Sequence, residues 1–209
     1  QTINPSVHTS DQAREGKRDD ERMEVRLDVR TASKEDTLAL GIAVGDLVFF
    51  DPRVEITDTG FVKSRFLDDK AGVAALYGAL QALAQANLRP AQRTTLFLSN
   101  YEEVGHGAAI GIPDDVVELL VVDMAASTTG EHQTSDEFSV GICAKDSSGP
   151  YDLELRQRLV ALAEARHIPY RLDTYPHYGS DGSAFLRAGG DVRVGIIGPG
   201  VDASHAYER

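Results

Sequence analysis

The stretch "TTLFLSNYEEVGHGAA", residues 94–109, runs an apolar segment into two adjacent carboxylates, Glu102 and Glu103, and then into glycines. A short, continuous apolar run bounded by turn residues reads as a strand buried on both faces, as strands of parallel sheets are. Side-by-side carboxylates at its end raise each other's cost of ionisation. Outward from this point, "LLVVDM" (119–124), "FSVGICA" (138–144), "YRLDTY" (170–175) and "VRVGIIG" (192–198) read as further strands. Val73, Leu76, Leu80 and Leu83 recur at helical spacing, which predicts a helix to about Asn87 with Pro90 beyond its end. Leu155, Leu159 and Leu162 mark a second long helix over residues 152–166. This succession predicts an α/β fold, a mixed, mostly parallel sheet flanked by helices.

The first part of the chain has a different character. Residues 1–22 are polar and without periodicity, "MEVRLDV" (23–29) alternates like a half-buried strand, and Ser33 with Asp36 forms a capping-box pattern for a helix to about Leu40. "GIAVGDLVFFDP" (41–52) reads as short strands with turns at Gly41 and Gly45. Two domains are therefore expected: a small β-rich module over residues 1–57 and an α/β domain over 58–209. The polar opening at Gln1 and the stop directly after "SHAYER" make both ends look incomplete.

Composition excludes several partners. In 209 residues, 21 Lys and Arg face 33 Asp and Glu, a formal charge of −12. No basic run is present to neutralise phosphates, so nucleic acid is not an expected partner. No apolar run approaches the roughly 18 residues that cross a bilayer, so no membrane helix is expected. Cys143 is the one cysteine, which rules out an internal disulfide and suits a reducing, cytoplasmic setting.

Acids gather at the ends of the expected strands and just past them. Asp68 and Asp69 precede the first long helix, Glu102 and Glu103 follow "TTLFLSN", Asp123 closes "LLVVD", and Asp181 lies in "HYGSDGSAF". Ligands of open α/β sheets bind in the crevice at the carboxyl ends of strands. Carboxylates converging there, with only Lys70 nearby, call for a multivalent cation. His205 in "VDASHAYER" adds an imidazole, and carboxylates with imidazole suit zinc, cobalt or manganese, whereas an all-oxygen set would suit magnesium or calcium. One glutamate of the pair can then hold the ion while its neighbour faces water, although spacing does not say which. The ordinary readings are a helix cap for Asp68 and Asp69, a solvated turn for the glutamates and a strand-end acid for Asp123. Ser180 and Ser183 lack the Gly-x-Ser-x-Gly elbow of a serine hydrolase.

"GIAVGD" (41–46), "FLDDKAG" (66–72), "NYEEVGHGAA" (100–109), "VVDM" (121–124), "GSDGSA" (179–184) and "SHAYE" (204–208) together resemble the glutamyl aminopeptidase family of co-catalytic metallopeptidases, family forty-two. The family includes tetrahedral, self-compartmentalising aminopeptidases, and the resemblance covers about residues 38–209. It implies a co-catalytic zinc exopeptidase-like fold and an aminopeptidase with two divalent ions per complete subunit, zinc first, cobalt or manganese next. Asp68 would bridge the ions, with Asp69 beside it shaping the turn through an unusual peptide geometry. Glu102 would be the general base, Glu103 and His205 would complete one metal site, Asp123 would serve the other, and Asp181, in a loop near the pocket, would either support the residues of the site from behind or bind substrate. Peptides are the implied substrates and a homo-oligomer, dimer or larger shell, the implied assembly. Residues 1–57 would be the later part of a small inserted domain used in subunit contacts. The family's further metal-binding histidine, in a His-x-Asp motif, has no match here, and His8 is followed by "TSD". His106, His132, His167 and His177 read as structural or surface residues, with His106 and His177 near the site and in a position to contact substrate. A metal-dependent amidase or deacylase of small N-acyl amino acids, and a metal-poor, non-catalytic subunit, are the alternative functions.

Overall fold

Pairing decides which apolar runs become strands. The computed structural model describes residues 1–127 and 133–206. Two units divide the chain, Gln1–Phe50 and Asp51–Arg209. In the first, a short helix α1 (Gln12–Glu15) and a helix α2 (Lys34–Ala39) are the α-helices. The capping box forms as expected: the Asp36 N–H donates to Ser33 Oγ at 3.1 Å and the Ser33 N–H to Asp36 Oδ2 at 3.1 Å. Of "MEVRLDV", Met23 forms an isolated antiparallel bridge to Thr2 and Glu24 exchanges backbone hydrogen bonds of 2.9 Å with Gln1, but no strand extends further among the described residues. Gly41 and Gly45 do turn the chain, with φ of 78° and 101°, but residues 42–50 join no strand ladder among the described residues.

In the second unit, β1 (Glu55–Ile56) and β2 (Val62–Lys63) form a small antiparallel hairpin. Helix α3 (Leu67–Gln85) follows, interrupted near its start by non-helical backbone at Asp68 and Asp69. The main sheet contains β3 (Glu118–Val122), β4 (Ala125–Ser127), β5 (Val140–Lys145), β6 (Tyr170–Thr174) and β7 (Arg193–Asp202). Its order is β3-β7-β5-β6, with β4 also on β7; the β5–β7 pair is antiparallel and the others are parallel. The mixed, mostly parallel sheet is thus present. Helix α4 (Leu153–Ala165) starts at Asp152, whose Oδ1 accepts from the Leu155 N–H at 2.8 Å, and a shorter α5 (Asp181–Arg187) follows β6. The core lies on this sheet, where Ala125, Cys143, Tyr151, Tyr175, Val194 and Ile196 pack together. No helix among the described residues is long and apolar enough to cross a membrane.

Beyond the strands expected in the first unit, two further sequence expectations differ from this picture. The run at 94–99 acquires no ladder partner among the described residues, and Leu98 stays 62% exposed. Apolar content signals that a segment seeks burial, but a strand exists only where another backbone offers matching N–H and C=O groups. On α3, Leu76 and Leu83 are half-buried while Val73 and Leu80 are exposed, so its apolar stripe is only partly covered.

The long β7 serves two partners in turn, β3 and then β4, and Asp123 sits at the changeover. There the Asp123 N–H donates to the Ile197 carbonyl at 3.0 Å. A Cβ on Gly198 would fall 1.5 Å from the Asp123 carbonyl oxygen, a backbone clash that no rotamer change relieves. Gly198→Ala is therefore expected to lower stability by on the order of 1–3 kcal/mol. Urea denaturation checks this, and an unchanged midpoint would refute the close approach.

Candidate metal centre

Asp68, Asp69 and the glutamate pair are carried by departures from regular structure. Phe66 enters α3 with φ of 65°, and the Asp68–Asp69 peptide bond is cis. Asp69 turns back on its own helix, where its Oδ1 accepts from the Gly72 N–H at 3.1 Å. A Cβ on Gly72 would lie 2.3 Å from Asp69 Oδ2, so a glycine is needed there. Asp68 instead faces the glutamates and His205.

The glutamate pair occupies a single 3₁₀ turn, Glu102–Val104, rather than a strand terminus. Tyr101 enters it at φ 64°, and Gly105 leaves it at φ 85° with its N–H on the Glu102 carbonyl at 2.7 Å. The tight turn sends neighbouring side chains apart. Glu103 Oε2 lies 3.6 Å from His205 Nε2, which is also 3.1 Å from Asp68 Oδ2. Glu102 lines a cavity with Asp68, Asp123, Tyr175, Tyr178 and His205.

Asp68, Glu103 and His205 each offer a ligand atom, and these atoms lie within 4.8 Å of one another. Two carboxylates and an imidazole form a donor set suited to zinc and its neighbours, so the residues present fit a divalent ion. Asp123 is 7% exposed, borders the same cavity, and has Oδ1 accepting from the Met124 N–H at 2.7 Å. Asp181 is near enough to raise the pKa of Glu102 but is not part of this group. It does not line that cavity, and its Oδ1 accepts from the Ala108 N–H at 2.8 Å.

Burial, with repulsion from neighbouring acids added, pushes Asp69, Glu102, Glu103 and Asp123 upward, and burial raises Asp68. Burial is the larger cause for Glu102 and Asp69, both raised to about 8, with Asp123 the next contributor to each. Asp123 rises to about 7 through burial, opposed by the neighbouring Tyr178 hydroxyl, which donates to the Met124 carbonyl at 3.0 Å. Asp68 and Glu103 are also raised by burial, Asp68 adding to the rise of Glu103, and His205 opposes both shifts. A divalent cation would supply the opposing charge.

The aromatic loop after β6 was not singled out as a whole. Tyr175, Pro176, His177 and Tyr178 line the cavity, and the position of "TYPHYG" just past the carboxyl end of a strand was the available signal. His106 stacks edge-on against Tyr101 at 5.3 Å, beside the glutamate turn. His132 and the last residues of "SHAYE", Tyr207 and Glu208, lie outside the described residues.

With this geometry in place, comparison with known families is decisive: the family model described as M42 glutamyl aminopeptidase matches residues 2–209. The chain belongs to the M42 glutamyl aminopeptidase family. This M42 chain is 52% identical over 204 residues to "Putative aminopeptidase YhfE" of Bacillus subtilis (strain 168), covering 98% of itself but 58% of that protein, so it spans less than two thirds of the relative's length. Its fold matches the Pyrococcus horikoshii TET1 peptidase at a TM-score of 0.69 with 22% identity, covering 87% of this chain and 54% of that one. Aminopeptidase APDkam598 from the archaeon Desulfurococcus kamchatkensis is 26% identical, with a TM-score of 0.67 and coverage of 84% and 51%.

The raised carboxyl groups have a sign that can be tested. Their unfolded values are 3.8 to 4.5 and the folded values of Asp69, Glu102 and Asp123 are about 7 to 8, so without metal their protonated forms favour the folded state. That stability is complete below about pH 4 and is lost as pH rises through the folded values. The melting temperature of metal-free protein is expected to fall from pH 5 to pH 9, and zinc at pH 8 is expected to restore it. A flat metal-free profile, or no response to zinc, would contradict the crowding of these acids.

Proposed function

We propose that the protein is a metal-dependent aminopeptidase that removes N-terminal residues from peptides at a dinuclear site. The observation that carries this reading is the division of the glutamate pair: Glu103 meets Asp68 and His205, while Glu102 opens onto the cavity beside Asp68 and Asp123. Asp68, Glu103 and His205 would hold one ion, and Asp68 with Asp123 would serve the second, zinc being the first candidate with cobalt or manganese as alternatives. Such ions supply Lewis acidity to the scissile carbonyl and lower the pKa of water. Glu102 would take the proton from the attacking water on its carboxylate and return it to the leaving amine. Its raised proton affinity suits that exchange near neutral pH. Asp69, tied to the Gly72 N–H, would keep Asp68 aimed at the ions.

The reading extends to partners. Peptides with a free N-terminus would be the substrates, and neither nucleic acid nor a membrane is part of the proposal. A homo-oligomer, a dimer or a larger shell, is proposed on two grounds. Val44, Leu47 and Phe49 of the first unit are at least 80% exposed, and the similar Pyrococcus horikoshii TET1 peptidase assembles into a tetrahedron or a large octahedral shell. A cytoplasmic location is proposed from the lone, buried Cys143.

Glu102→Gln in the full-length protein tests the chemistry. Hydrolysis of free-amine peptides is expected to fall by roughly 10²- to 10⁴-fold while bound metal is unchanged. Undiminished turnover would remove Glu102 from its role, and faster cleavage of N-acylated substrates than of free-amine peptides would replace the aminopeptidase with an amidase or deacylase.

A further inference from the structure

We propose that Asp181 is a positioning residue for the Glu102–Glu103 turn, which it fixes through the backbone of Gly107 and Ala108, rather than a group that binds substrate. The hydrogen bond from the Ala108 N–H to Asp181 Oδ1, 2.8 Å long, joins segments 73 residues apart. The contact is close-fitting. A Cβ on Gly107 would meet Asp181 Oδ1 at 2.5 Å, the Glu102 nitrogen at 2.8 Å and the Asn100 carbonyl oxygen at 2.9 Å. Asp181 Oδ1, the Glu102 nitrogen and the Asn100 carbonyl oxygen therefore all crowd the side of Gly107 where a Cβ would project, which leaves the loop little room to shift there.

The other end of this strut is rigid. Asp181 is the first residue of α5, which Ser180 caps by accepting from the Ser183 N–H at 3.4 Å. Ser183 Oγ donates to Asp146 Oδ2 at 2.7 Å, the Tyr151 hydroxyl donates to the same oxygen at 2.9 Å, and Ser180 Oγ lies 2.7 Å from that hydroxyl. Asp146, 1% exposed, also accepts from the Ser148 and Gly149 N–H groups at 2.7 and 3.1 Å. Buried and fully bonded networks of this kind hold a unique geometry. The start of α5 is thus anchored to the end of β5 and the core, and Asp181 transmits that anchorage to the loop bearing Glu102 and Glu103.

The effect on turnover rests on the role proposed for Glu102, so the experiment includes an arm that does not. In the full-length protein, hydrogen exchange of the Ala108 amide, kcat, KM and zinc affinity are measured for wild type, Asp181→Asn and Asp181→Ala. Asn keeps an oxygen acceptor at the Oδ1 position; Ala does not. Asp181→Ala is expected to expose the Ala108 amide to faster exchange and to lower kcat or zinc affinity by roughly 10- to 100-fold, as loss of an orienting partner does, with KM little changed. Asp181→Asn is expected to retain most of the protection and most of kcat. Equal damage in Asn and Ala expressed mainly in KM would make Asp181 a substrate ligand and overturn the proposal, as would an Ala108 amide that exchanges fast in wild type. If Asp181→Ala does not fold, Asp181→Asn decides: wild-type exchange supports the strut, and lost protection refutes it. A wild type without peptidase activity would overturn the proposed function yet leave the exchange result readable.

Discussion

Repulsion between carboxylates crowded into one half-buried cleft is the constraint around which the second unit is built. Asp68, Asp69, Glu102, Glu103 and Asp123 each have a raised proton affinity, because each is desolvated and nearly all feel another acid of the group. Such an arrangement is costly unless a cation completes it. The backbone shows the same investment: Phe66, Tyr101, Ala203 and His205 all hold positive φ, between 56° and 65°, at or within two residues of the triad members Asp68, Glu103 and His205. Left-handed backbone costs a non-glycine residue roughly 1–2 kcal/mol. Outliers of this type gather where side chains must be aimed.

Glycines mark where chain and acid come closest. Gly72 gives room to the Asp69 carboxylate, Gly107 to Asp181 and the Glu102 backbone, and Gly198 to the Asp123 carbonyl. In each case a methyl group would enter occupied space, so the motifs containing these glycines are descriptions of close approach as much as of turning. Only Gly72 lies near its acid along the chain; Gly107 and Gly198 meet Asp181 and Asp123 across the fold.

Much of this was legible in the sequence. Acids expected at or just past strand ends marked a cation site, while the resemblance to the family, not spacing, singled out Glu103 over Glu102 and promoted His205 to a ligand; Ser33 with Asp36 announced its capping box. Other features needed three dimensions. The run at 94–99 has the composition of a buried strand, but composition carries no information about which backbone will pair with it. The glutamate pair separates through a 3₁₀ turn, not through the alternation of a strand, and nothing in "NYEEVG" distinguishes the two. Asp181 lay in the right neighbourhood, yet its bond to Ala108 spans 73 residues and leaves no local trace. The aromatic wall of Tyr175 and Tyr178 was hidden for a similar reason, since apolar residues after a strand serve the core as readily as a cavity.

The central claim is that a divalent ion occupies the space among Asp68, Glu103 and His205. Anomalous diffraction at the zinc absorption edge, on crystals of the full-length protein equilibrated with zinc, tests it most directly. The account predicts an anomalous peak within bonding distance of all three side chains. Zinc-saturated crystals with these residues ordered and no peak among them would contradict it.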